Sequence, residues 1–188
     1  MRQARGKFPG MRRERVDFTH EEICYGLDDC SWGAVLVARS EIGIISVMIG
    51  EDDEENVRDL RRRFPEANLI RTKTADRTLP KPIIEFLEKP KALDLPLDMR
   101  GTEFQKKVWN AVRKVKLGQT SNYSEIAHRI GRPRAARAIG TACAQCELSF
   151  LIPCHRILHK DGSMSGFWPE EKQRRLLERE AEVAIKLR

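Results

Sequence analysis

Apolar and polar positions change rhythm along this chain. Residues 33–50, Gly-Ala-Val-Leu-Val-Ala-Arg-Ser-Glu-Ile-Gly-Ile-Ile-Ser-Val-Met-Ile-Gly, hold two β-branched apolar runs around a polar turn and predict a β-hairpin. Glu51 to Phe64 is charged with sparse apolar positions and stops before Pro65, which predicts a helix packed on that sheet. Pro80-Lys81-Pro82 ahead of Ile83, Ile84, Phe86 and Leu87 predicts a further short helix, and Lys89 to Pro96 an interdomain connection. From Thr102 onward the pattern is helical. Thr102-Glu103-Phe104-Gln105 has the form of a capping box, and Phe104, Val108, Val112 and Val115 fall on one helical face. Asn122-Tyr123-Ser124-Glu125 opens a second short helix ending near Gly131, and Pro133 suits the first turn of a third, running to about Ala144. Two short helices joined by Gly-Arg-Pro predict a helix-turn-helix. Arg134 and Arg137 share a face of its second helix, which Ala135, Ala136, Ala138, Gly140 and Ala142 keep slim enough to approach a duplex backbone. The chain has no internal repeat and no low-complexity tract.

Composition narrows the class. The 188 residues are 40% hydrophobic with a mean hydropathy of −0.52, enough for one large or two small soluble globular domains. No uninterrupted apolar run is long enough to span a bilayer, so no membrane role is expected. Residues 1–20 read as a flexible basic arm; Met1 to Arg15 is Arg-rich without the apolar region of a secretory signal. Five cysteines without disulfide-like spacing point to a reducing, intracellular compartment, nuclear in a eukaryote and cytoplasmic in a prokaryote. The formal charge of +7 is unevenly spread: residues 1–100 balance to −1, whereas residues 101–188 carry +8. The basic half has the footprint of a surface that neutralises phosphates, although RNA, an acidic protein or a membrane surface would fit the charge alone.

The chemistry concentrates in Phe150-Leu151-Ile152-Pro153-Cys154-His155-Arg156-Ile157-Leu158, where a cysteine, a histidine and an arginine sit inside an apolar run. Polar groups in such surroundings are costly unless they are paired. A neighbouring base or cation activates a thiol, so Cys154 beside His155 is a candidate nucleophile; a buried, inert core cysteine is the alternative. Cys143-Ala-Gln-Cys146 with Cys154, His155 and His159 could also be read as a zinc site, but it lacks a glycine turn, and Pro153 separates the two groups. A redox Cys-x-x-Cys needs a helix N-terminus, whereas this pair falls at a helix C-terminus. A purely regulatory helix-turn-helix protein is a further reading, and it leaves Cys154 unexplained.

Pro153-Cys154-His155-Arg156 resembles the alkyl-acceptor motif of the O6-alkylguanine-DNA alkyltransferases, the methylated-DNA–protein-cysteine methyltransferases. Leu93 to Thr102 with Phe104-Gln105 and Val108-Trp109 is similar to that family's interdomain segment and first C-terminal helix. Gly118-Gln119-Thr120, Tyr123, Ile126-Ala127 and Arg132 to Gly140 are similar to its DNA-binding motif. The likeness runs from about Tyr25 to Glu180, with one residue fewer after Phe167, and is strongest to the Ada-type C-terminal portion. The zinc-bearing regulatory segment that accompanies Ada proteins is expected to be absent.

The resemblance implies an α/β ribonuclease-H-like N-terminal domain over residues 21–97. It implies a mostly α, winged-helix-like domain with the helix-turn-helix over residues 98–184. It further implies a monomer that binds double-stranded DNA containing O6-alkylguanine through the minor groove, flips the nucleotide out and transfers the alkyl group irreversibly to itself, with no cofactor and no metal. Cys154 would be the acceptor, His155 its base through a water, Glu180 the group orienting His155, and Tyr123 the donor to the leaving guanine. Glu180 follows Leu176 by four residues, which sets it toward the apolar face of the last helix. Arg137 would fill the space left by the flipped base, with Arg132, Arg134, Ala135, Ala136, Thr120 and Ser121 along the DNA. Ile157, Met164, Phe167 and Trp168 would line the substrate pocket, and Arg156 would be a structural pairing residue. Two departures stand out. Cys146 occupies the hinge position where the family usually has asparagine, and Gly166-Phe167-Trp168-Pro169 replaces the usual pocket loop, Pro169 having no N–H to offer.

Overall fold

The computed structural model describes residues 21–73, 78–89, 93–148, 150–166 and 169–186. The basic arm expected over residues 1–20 and the pocket residues Phe167 and Trp168 lie outside them. Three strands, β1 (Glu22–Cys30), β2 (Gly33–Arg39) and β3 (Ile44–Gly50), form an antiparallel meander. Helix α1 (Asp53–Arg63) then crosses over to β4 (Asn68–Arg71), which pairs parallel with β1 to give the sheet order β3-β2-β1-β4. The expected hairpin and helix are both present. Strands β1 and β4 carried no expectation.

Burial on both faces explains why β2 and β3 are mostly apolar, and a register shift at Ala38–Arg39 interrupts their alternation. Leu36, Ala38, Ile45 and Met48 pack with Ile23, Tyr25 and Leu60 on the α1 side, whereas Val35, Val37, Ile44 and Val47 join a second core on the opposite side. Asp52 caps α1 by accepting from the Glu55 N–H at 2.7 Å, and acidic residues in its first turn and arginines in its last suit the helix dipole. The second core is shared with α2 (Lys81–Glu88) and everything after it.

The connection between the halves is pinned to the sheet. The Ile44 N–H donates to the Pro96 carbonyl, and the Asp98 N–H donates to that of Ile44, both at 2.8 Å. Arg100 ties this segment to Glu21 and Asp98. Further on, the Val47 N–H donates to the Glu147 carbonyl at 2.9 Å, and Arg63 pairs with the Glu147 side chain. Beyond the connection, α3 (Glu103–Val112) opens on the expected capping box, both Thr102–Gln105 bonds being made. Val108, Val112 and Val115 are buried, and the Trp109 indole donates to the Ala142 carbonyl at 2.9 Å.

The short β5 (Ser121–Asn122) leads into α4 (Tyr123–Arg129), where Asn122 is the cap. Gly131 then turns the chain at φ 71, a conformation that favours glycine. Helix α5 spans Ala136–Ala144, so Pro133 does not lie in its first turn as expected. The Ala135 N–H donates to the Arg132 carbonyl, closing residues 132–135 into a tight turn, and the α5 ladder begins with the Ile139 N–H on Ala135. A single 3-10 turn, Cys154–Arg156, is followed by β6 (Ile157–Leu158) and the long α6 (Glu170–Lys186). Among the described residues, no helix is long and apolar enough to cross a membrane.

Candidate active site

Two features bring the reactive residues together. Strand β6 pairs parallel with β5, Ser121 opposite Ile157 and Asn122 opposite Leu158, so Tyr123 at the head of α4 falls next to His159 and its hydroxyl comes near Cys143 and Cys154. Helix α6 meanwhile presents Gln173, Leu176 and Glu180 on one buried face. The half carrying the sheet helps to hold that helix: Trp32, in the β1–β2 turn, stacks under the guanidiniums of Arg175 and Arg179 at 4.3 and 5.5 Å.

His155 and Glu180 are both essentially inaccessible to solvent, and His155 Nε2 lies 2.8 Å from Glu180 Oε1. Arg156 grips the same carboxylate with Nε at 2.7 Å and a terminal nitrogen at 2.9 Å, and donates to the Val115 carbonyl at 2.6 Å. Burial alone would raise the Glu180 pKa, but the hydrogen bonds and charges of His155 and Arg156 outweigh it and hold the carboxyl down to about 2. For His155 burial prevails over the pull of Glu180 and lowers the pKa, leaving a neutral imidazole near pH 7. An ionised carboxylate only accepts, so Nε2 carries the hydrogen and Nδ1 has the basic lone pair.

Cys154 is buried, and hydrogen bonding with the Cys143 and Cys146 thiols, added to burial, pushes its own thiol well above the ordinary range. All three cysteines and His155 line a cavity of about 350 Å³ that reaches Trp32 and Lys172. The five cysteines are free thiols, and no cluster suited to hold a metal ion occurs among the described residues. Tyr123 is buried too; desolvation first, then the neighbouring Cys143 and Cys154, raise its pKa, so its hydroxyl stays protonated. Its ring meets His159 edge-on at 5.3 Å and packs against Gly140 of α5. The segment before Cys154 is a turn and not an extended strand. Phe150 has φ 69, unusual for a bulky residue, and the Ile152 N–H returns to the Leu148 carbonyl.

The other expected positions divide. Arg132, Arg134, Arg137 and Thr120 are exposed, and Ala135 and Ala136 are half-buried around the start of α5. Ser121, expected along the DNA, is instead buried with its hydroxyl donating to Glu125 at 2.6 Å, because pairing with Ile157 draws it inward. Ile157 is fully buried, whereas Met164 lines a separate cavity of about 240 Å³ with Gly162, Gly166 and Arg174. Gln173, which carried no expectation, donates to the His155 carbonyl at 2.9 Å and accepts from the Ser165 hydroxyl at 2.8 Å. A polar residue on the otherwise apolar stripe that leads to Glu180 was its signal. At the hinge after α5, where Cys146 stands, the chain is held by Gln105 on Gln145 at 2.8 Å, by Arg63 on Glu147 and by the Val47 N–H.

Residues 103–182 match the model of the 6-O-methylguanine DNA methyltransferase, DNA binding domain. The chain is similar to the O6-methylguanine-DNA methyltransferases. Among relatives, the Ada bifunctional transcriptional activator/DNA repair enzyme of Escherichia coli is 41% identical over 162 residues, covering 85% of this chain and 46% of that protein. The inducible methylated-DNA–protein-cysteine methyltransferase of Bacillus subtilis is 38% identical over 108 residues, covering 57% of this chain and 60% of the relative. The chain spans about half the length of the curated relatives it matches. The crystal structure of the Mycobacterium tuberculosis O6-methylguanine methyltransferase superposes with a TM-score of 0.70 at 27% identity, covering 88% of this chain and 98% of the other. The same organism's OGT in complex with DNA gives a TM-score of 0.67 at 25% identity, with coverages of 85% and 94%.

Proposed function

We propose that the protein repairs DNA by direct reversal, moving the alkyl group of O6-alkylguanine in double-stranded DNA onto Cys154. The observation that carries this reading is the buried Cys154-His155 turn, locked by Glu180 and flanked by the protonated Tyr123 hydroxyl. Its elements match an in-line displacement. Cys154 Sγ attacks the alkyl carbon as that carbon's bond to O6 breaks; the thiol proton passes to His155 Nδ1, through a water where contact is indirect. The bonding electrons go to O6 and are stabilised as Tyr123 donates to the guanine ring. Glu180 keeps the imidazole in the tautomer that can accept and stabilises the imidazolium that results, the triad relation with a thiol as nucleophile. A raised thiol pKa keeps Cys154 protonated until base and substrate are both in place. The thioether has no leaving route under mild conditions, so each chain acts once.

A base in a duplex cannot reach a thiol this deeply buried without leaving the stack. The exposed arginines 132, 134 and 137 suit phosphate contact, with Arg137 on the first turn of α5 as the residue that fills the vacated space from the minor groove. The sheet order β3-β2-β1-β4, with only β4 parallel to β1, supports the ribonuclease-H-like reading of the first half, and α3 to α6 around the small β5–β6 pair the winged-helix-like reading of the second. We take the active species to be a monomer. The test is a count. With limiting protein and excess duplex carrying O6-methylguanine, restored guanine should plateau at no more than one per chain, whereas continued turnover, or no restoration, would overturn the reading.

A further inference from the structure

We propose that Gln173 is a positioning residue for the alkyl-transfer site, holding the acceptor turn and the Ser165 segment in one hydrogen-bonded frame. This deepens the repair reading above and rests on it. Gln173 and Glu180 are seven residues apart on α6, close to two helical turns, and so lie on one face with Leu176 between them. Both reach His155. Glu180 holds its ring, and Gln173 Nε2 holds its carbonyl at 2.9 Å. The neighbouring carbonyls are already used within the 3-10 turn, that of Pro153 by the Arg156 N–H and that of Cys154 by the Ile157 N–H. One rigid helix therefore fixes His155 at two points, so the imidazole cannot rotate about its backbone without breaking one of them.

The other end of the Gln173 amide faces the pocket loop. Oε1 accepts from the Ser165 hydroxyl at 2.8 Å and from the Ser165 N–H at 3.3 Å. Ser165 also neighbours the Tyr123 hydroxyl, where it lowers the tyrosine pKa against the larger rise from burial. The two side-chain bonds give a continuous chain from the Ser165 hydroxyl through Gln173 to the His155 carbonyl, with Tyr123 beside its far end. The Ser165 segment beside Tyr123 and the residue that must take a proton from the thiol are thus spaced by a single buried amide. Gln173 is fully buried, so this amide has no water to compete with its partners, and a methionine of similar size would leave the His155 carbonyl and Ser165 without them.

The test compares wild type with Gln173→Met and with Ser165→Ala, which breaks the chain without touching α6. For each, the saturating rate of methyl transfer and the Kd for the duplex are measured separately. Both variants should lose roughly tenfold in saturating rate while Kd changes by less than about twofold, since geometry is lost and DNA contacts are not. The double variant should be little slower than the slower single one, because both break the same chain. Transfer rates within about twofold of wild type in both variants would overturn the proposal, as would a loss confined to Kd. Should wild type transfer no methyl group, the repair reading falls. The hold of Gln173 on the acceptor turn is then judged by the His155 ring resonances, which shift in Gln173→Met if the hold exists and stay put if it does not.

Discussion

Replacing Glu180 with glutamine keeps the shape of the side chain and removes the charge that His155 and Arg156 share. The carboxyl is held at about 2 against an ordinary 4.5, and at about 1.4 kcal/mol per pH unit this difference is worth roughly 3 kcal/mol of folding stability. An independent route agrees: breaking one side of a buried ion pair costs about 3–5 kcal/mol, because the remaining charge, here the Arg156 guanidinium, is stranded. Glutamine still accepts hydrogen bonds, so the lower end, about 3 kcal/mol, is expected, a fall in Tm of roughly 6–12 °C for a chain of this size. The sign with pH is specific. A depressed carboxyl pKa contributes fully above 4.5 and is lost as pH falls from there toward about 2, so this part of the wild-type acid loss should vanish in Glu180→Gln. His155 acts separately. Its lowered pKa disfavours the protonated folded form, so stability also falls as pH drops below the ordinary 6.5, in both proteins. Chemical denaturation across pH 3–7 reads both effects. A loss below about 1 kcal/mol at pH 7, with an unchanged acid slope, would refute the buried-pair reasoning.

Replacing Arg137 with alanine should abolish repair in duplex DNA while sparing much of the reaction with free O6-benzylguanine, which needs no flipping; equal losses would make Arg137 a fold residue. Binding of undamaged duplex should weaken steeply with added salt, and a flat salt dependence would remove the basic face from the interface. Because the hinge is held by Gln145, Glu147 and Val47, Cys146→Asn should keep methyl transfer, and an amide donor in place of a thiol should lower the Cys154 pKa, read from the pH dependence of iodoacetamide alkylation. Lost transfer in a folded Cys146→Asn protein would give Cys146 a direct chemical role.

What the sequence reveals follows from the range of the forces involved. Helices α1, α3 and α4 were readable because cap, periodicity and terminator lie within a few residues of one another. The β2–β3 hairpin was readable for the same reason. Strand β1 carries Asp28-Asp29 near its end and β4 has only four residues, so both owe their existence to pairing with a neighbour. Cys154 and His155 were legible as adjacent residues, and Glu180 by its place on a helical face. The Arg156 contact with the Val115 carbonyl, the pairing of Ser121 with Ile157 and the Gln173 bond to the His155 carbonyl span distances in sequence that no local pattern encodes. The late start of α5 shows a tight turn overriding the preference of Pro133 for a helix's first turn.

The most direct test of alkyl transfer to Cys154 is peptide mass mapping of the full chain after reaction with duplex DNA containing O6-methylguanine. One methyl group per chain, confined to Cys154 with Cys143 and Cys146 unmodified, is the predicted result; an unmodified Cys154, or methyl groups spread over the three thiols, would contradict it.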